Sequence, residues 1–103
     1  MRDFRNIKAW EKGHQLVLKI YKVSQVFPAE ERYGLTSQMR WASASIPANI
    51  AEGCGKNSEA ELARYMQISM GSASELEYHL LLAKDLGYLA LDDYQQLNAL
   101  TVE

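Results

Sequence analysis

Between Leu62 and Ala83 the sequence places Leu62, Met66, Ser69, Ala73, Leu76, Leu80 and Ala83 at alternating spacings of four and three. A β-strand repeats every second residue, whereas alternation of four and three marks one face of an α-helix packed on another. The stretch therefore predicts a long helix with a partner. Beside this seam runs a second with the same spacing, Tyr65, Ile68, Ser72, Glu75, His79, Leu82 and Leu86. A helix apolar around most of its circumference needs cover on most sides. Tyr65, Ile68, Ser72, Glu75, His79 and Leu82 are accordingly candidates for contact with another subunit.

Three further segments show helical periodicity. The first is expected over 6–27, with Asn6 as N-cap and Pro28 as the stop; Ile7, Trp10, His14, Val17, Tyr21 and Ser24 would face a bundle, widened by Leu16, Ile20 and Phe27. The second, over 35–52, keeps Leu35, Met39, Ala42, Ile46 and Ile50 in register. The long helix itself is expected over 58–86, opened by a capping box between Ser58 and Glu61 and closed by Gly87. The fourth, over 92–102, presents Tyr94, Leu97 and Leu100. Clean polar–apolar alternation and two-residue hairpin signals are missing. The expected fold is all-α, one antiparallel up-and-down four-helix bundle over 1–103 with a short fourth helix.

Composition narrows the functional classes. A chain of 103 residues allows one domain, and its 48% apolar content is too high for intrinsic disorder. One cysteine excludes an internal disulfide framework and a cysteine-based zinc site. No apolar run approaches the ~20 residues that span a bilayer, and Met1 to Arg5 does not resemble a signal peptide, so the expectation is a cytoplasmic protein without membrane contact. The net charge of −2 is unevenly spread: residues 1–40 hold eight basic and four acidic side chains, residues 41–103 three basic and nine acidic.

Catalytic chemistry finds little support. Di-iron bundles need two Glu-x-x-His motifs, and Glu11-Lys12-Gly13-His14 is a single copy. Cys54 follows a helix C-terminus, where the dipole disfavours a thiolate. Gly53-Cys54-Gly55-Lys56 lacks the spacing of a phosphate loop and reads as a tight turn between helices, although Lys56-Asn57-Ser58 could attract an anion weakly. No enzyme activity, cofactor, metal or small-molecule substrate is expected. A basic stripe remains: Arg5, Lys8, Lys12, Lys19 and Lys22 lie opposite Trp10, Val17 and Tyr21 on the first helix. Such a stripe could track RNA or DNA phosphates, but a solvated helix face has the same pattern, and no aromatic residue interleaves the cations to stack bases. On the second helix, Pro47 predicts a kink, Arg40 lies on the face of Ser43 and Pro47, and Asn49 and Glu52 are expected to satisfy groups around the 53–57 turn. Small residues at 42–45 and 69–74 allow close helix approach, within the chain or between subunits.

Several blocks carry a family likeness: Phe4 with Trp10, Phe27-Pro28, Tyr33-Gly34-Leu35, Gln38-Met39-Arg40, Ser45-Ile46-Pro47-Ala48-Asn49-Ile50-Ala51-Glu52-Gly53, Gly71-Ser72 with Glu75-Leu76-Glu77, and Leu86-Gly87-Tyr88-Leu89. Over residues 4–89 the chain resembles the bacterial four-helix-bundle proteins encoded in 23S rRNA intervening sequences. The resemblance implies a homopentamer without catalytic activity. It also implies a relation to the accessory variability determinant of diversity-generating retroelements, a basic pentamer that binds nucleic acid and a reverse transcriptase. The present chain departs from that branch in its acidic balance and in Trp41, which stands where the family commonly has a second arginine. In the family the fourth helix generally continues further, so the expectation for this chain is either a truncated C-terminus or cover of the third helix by neighbouring subunits.

Overall fold

Each segment of helical period in the sequence is a helix in the computed structural model, which describes residues 2–102. Helix α1 spans Lys8–Ser24, α2 Leu35–Cys54, α3 Glu59–Asp85 and α4 Leu91–Val102, with 3-10 turns at Phe4–Asn6 and Ala29–Glu31. Among the described residues there is no strand. Helix α1 neighbours α2 and α4, and α3 neighbours the same two, so α1 and α3 stand diagonally across an up-and-down bundle. The antiparallel sense of α1 and α2 follows from their contacts. Ser24 at the end of α1 meets Arg40 near the start of α2, Gly13 lies against Ile46 and Pro47, and the Arg2 amide reaches the Cys54 carbonyl at 3.2 Å.

The core is a stack of Leu16, Ile20, Met39, Leu76, Leu80 and Leu97, drawn from all four helices. On α2 the expected line Leu35, Met39, Ala42, Ile46 and Ile50 is buried throughout. On α3, Ser69, Leu76, Leu80 and Ala83 are buried, while Leu62, Met66 and Ala73 are half-buried. The difference has a geometric cause. At 1.5 Å per residue the 27 residues of α3 run about 40 Å and the 12 of α4 about 18 Å, so α4 covers only one end of α3.

Helix α1 departs most from the expected pattern. It is shorter than the expected span 6–27, and Asn6 is not its N-cap; instead Asp3 caps the preceding turn by accepting from the Arg5 amide at 3.0 Å. Its buried line is Gly13, Leu16, Ile20 and Ser24, whereas Trp10 and Val17 are half-buried and His14 and Tyr21 exposed. Gly13 explains the rotation. A Cβ there would stand 3.3 Å from Ile46 Cγ2 and 3.4 Å from Pro47 Cδ, so the missing side chain sets how closely α1 approaches α2. His14 instead stacks on Trp10, with ring centroids 5.1 Å apart.

The connections are built from local hydrogen bonds. Ser58 caps α3 by accepting from the Glu61 amide at 3.1 Å, one half of the expected capping box, while the Glu61 carboxylate pairs with Arg64. At the other end Gly87, with φ +81°, occupies the left-handed position. The Gly87 amide donates to Lys84 and the Tyr88 amide to Ala83, a Schellman closure that turns the chain towards α4. Tyr88 then reaches across the bundle end and donates its hydroxyl to Glu31 at 3.1 Å, while the other oxygen of Glu31 accepts from the Leu35 amide.

Candidate functional site

Three surfaces hold the residues singled out from the sequence. The first is the outer face of α3. Its second seam is graded: Ile68 and Glu75 are exposed, Tyr65, Ser72 and Leu82 half-buried, and His79 buried. His79 is thus enclosed within the single chain; its Nε2 lies 3.9 Å from Glu75, and its buried Nδ1 has no hydrogen-bond partner among the described residues. Other large apolar side chains of α2 and α3 are exposed too: Trp41 is 74% exposed and Tyr78 60%, and Met70, which borders the groove that α3 forms with α1 and α4, 70%. Leu86, at the end of the second seam, and Leu81, on another face of α3, are exposed as well. Sequence spacing identified the seam on α3 but not Trp41, Met70 and Tyr78, whose exposure depends on how the helices are rotated.

The second surface is the basic stripe. Arg5, Lys8, Lys12, Lys19 and Lys22 are all exposed, on α1 and the turn before it. Arg5 pairs with Asp3 at 3.5 Å and lies over the Phe4 ring. The row is an exposed cationic edge, of which Lys12 also borders the groove lined by Gly13 and Leu16.

The third surface is the end of the bundle where α1 and α2 meet. Arg40 leaves α2 towards α1, where its Nε donates to Ser24 Oγ at 2.9 Å and one terminal nitrogen to the Tyr21 carbonyl at 3.3 Å. Its guanidinium lies 4.6 Å from the centroid of the Tyr21 ring. Ser24 in turn donates to the Ile20 carbonyl at 2.7 Å, so the arginine is held at three points. Tyr21 and Ser24 were expected to face the core as apolar-stripe positions. In the fold they form the seat of Arg40, a role visible only once α1 and α2 are paired.

The polar residues around Pro47 take positions other than the 53–57 turn. Asn49 donates to the Ser45 carbonyl at 2.7 Å within its own helix, and Glu52 is exposed. The reach of an asparagine side chain explains this, because its own preceding turn is nearer than the turn beyond Gly53. Pro47 itself is buried against Gly13, and α2 runs unbroken from Leu35 to Cys54. Nearby Ser69 donates to the Ile46 carbonyl at 3.0 Å, tying α3 to α2 beside the proline.

Two further features bear on chemistry. Glu31 holds the Tyr88 phenol above its ordinary pKa, chiefly because the hydrogen bond favours the protonated form, with burial and the charges of Glu31 and Glu30 adding to the effect. No helix is long and apolar enough to cross a membrane among the described residues. Comparison with curated proteins gives no match. A family model described as 23S rRNA-intervening sequence protein matches residues 5–103. With the four-helix fold and the Ser45–Gly53 block at the α1–α2 contact, the chain belongs to the 23S rRNA-intervening sequence protein family.

Proposed function

We propose that this protein is a non-enzymatic, cytoplasmic interaction module that assembles with copies of itself into a pentamer through the outer faces of α2 and α3. The observation that carries the reading is the exposed apolar side chains Ile68, Tyr78 and Leu86 along the outer face of α3, with Trp41 exposed on the neighbouring α2. Soluble monomers rarely leave large apolar side chains grouped in this way, and such groups mark contact surfaces. The half-buried Tyr65, Ser72 and Leu82 lie along the same seam as Ile68 and Leu86, with exposed Glu75 beside them. The expected likeness to pentameric relatives points the same way. Sedimentation equilibrium at tens of micromolar should give a mass near five times 11.7 kDa, and Ile68→Glu with Tyr78→Glu should reduce it to the single chain. A wild-type protein sedimenting as a monomer would overturn the proposal.

A second reading, a nucleic-acid-binding accessory protein acting alone or beside a protein partner, draws support from Lys8, Lys19 and Lys22. All three are exposed and project from one edge of α1. In a pentamer several such edges would act together, raising avidity without new contacts. Retention of RNA or DNA at low salt should then vanish in a variant with Lys8, Lys19 and Lys22 all changed to Glu; equal retention would reject this surface.

A further inference from the structure

The chain has five arginines, and their partners divide them into two groups. Arg2 pairs with Glu59, Arg5 with Asp3 and Arg64 with Glu61. Arg32 and Arg40 have no carboxylate within 4.0 Å among the described residues, and both line the same concavity. That concavity is a pocket of about 410 Å³ between the end of α1, the 28–32 turn and the first turns of α2. Both side chains line it without a counter-ion, Arg40 fixed against Tyr21 and Arg32 exposed, its guanidinium 5.9 Å from the centroid of the Tyr33 ring.

The rest of the pocket is suited to an anion. Arg40 is fixed by Ser24, the Tyr21 carbonyl and the Tyr21 ring, so its free N–H groups are oriented before any ligand arrives. Thr36 also lines the pocket; it is 9% exposed, and its hydroxyl has no hydrogen-bond partner among the described residues. It sits in the first turn of α2, at the positive end of that helix dipole. Glu31, adjacent to Arg32 in sequence, is engaged by the Leu35 amide and the Tyr88 hydroxyl. Phe27, Pro28 and Ala29 supply the apolar part of the lining, and Gln25 completes the polar part.

We infer that this pocket binds the phosphate group of a small phosphate monoester, with Arg32, Arg40 and Thr36 on the phosphate and the Phe27–Ala29 stretch against the organic part. Two guanidiniums match a dianion better than a single carboxylate, and their planar forks donate two parallel hydrogen bonds each to its oxygens.

The test uses the full chain with phenyl phosphate, inorganic phosphate and acetate, followed by phosphorus or proton NMR titration at low ionic strength. Phenyl phosphate should saturate at low millimolar concentration and bind more tightly than inorganic phosphate, with acetate weakest. Arg32→Gln should weaken phenyl phosphate at least tenfold. Its side chain makes no hydrogen bond among the described residues, so an unchanged circular-dichroism melt should accompany the loss. Arg40→Gln should also weaken binding, here with a lowered melt because its contacts to Ser24 and Tyr21 are lost, and Lys19→Gln should leave binding unaltered. Absence of saturation by about 10 mM, or equal affinity in Arg32→Gln and wild type, would overturn the assignment.

Discussion

Gly71 and Gly53 are both helical glycines, and the structure gives them opposite consequences on acquiring a methyl group. Around a Cβ at Gly71, in the middle of α3, no atom lies within 4 Å. Replacing an exposed helical glycine by alanine removes backbone freedom from the unfolded chain, so Gly71→Ala should stabilise the fold by about 1 kcal/mol. At Gly53 the same atom would stand 3.0 Å from Tyr65 Cβ and 3.2 Å from Leu62 Cδ1. The Tyr65 Cβ is anchored to the α3 backbone, so relief requires α2 and α3 to separate slightly, and overpacking of this kind costs roughly 1–3 kcal/mol. The helix-propensity gain is common to both variants and cancels between them. Gly71→Ala should therefore exceed Gly53→Ala in stability by roughly 1–3 kcal/mol. Urea denaturation followed by helical circular dichroism, with midpoint and slope fitted separately, gives the difference directly. Equal midpoints would refute the packing argument at Gly53. A loss of stability in Gly71→Ala would mean that atoms beyond the single chain stand close to that face of α3.

Two other perturbations follow from the connections. The folded Tyr88 titrates above its unfolded value, so the contact with Glu31 contributes stability at pH below the ordinary tyrosine value near 10 and is lost as pH rises through the folded value. Tyr88→Phe should accordingly show a shallower loss of thermal stability between neutral and strongly alkaline pH, and parallel profiles would remove Tyr88 from the alkaline transition. Ser58→Ala should cost about 1 kcal/mol, because the Glu61 amide loses its acceptor at the start of α3; a change within error in urea would show that another group caps the helix.

The sequence was most informative where a regular period coincided with burial. Leu35, Met39, Ala42, Ile46 and Ile50 form the buried face of α2 because each turn there contributes one apolar side chain to it. On α1 the large residues misled: Trp10, Val17 and Tyr21 carry the strongest apolar signal, yet Gly13, Leu16 and Ile20 lie deepest. A glycine gives no hydrophobic signal, although it decides which face approaches α2 most closely. The apolar band on α3 was partly visible as a second seam. The Arg40 pocket was not visible, because Ser24, Arg32, Thr36 and Arg40 are brought together only by the pairing of α1 with α2. Period analysis works within one helix, and this site belongs to two helices and the turn between them.

The order of neighbours around the bundle has a kinetic consequence. Helices α1, α2, α3 and α4 each pack on the next in the chain, and among the packed helix pairs α1 with α4 is the one whose members are not consecutive. Closing a hairpin of adjacent helices confines a short loop, whereas joining α1 to α4 confines nearly the whole chain, so the entropy of ordering falls mainly on that last seam. Folding should therefore lie in the microsecond-to-millisecond range of helical bundles, with the α2–α3 hairpin as an early unit and the docking of α4 on α1 as a late event.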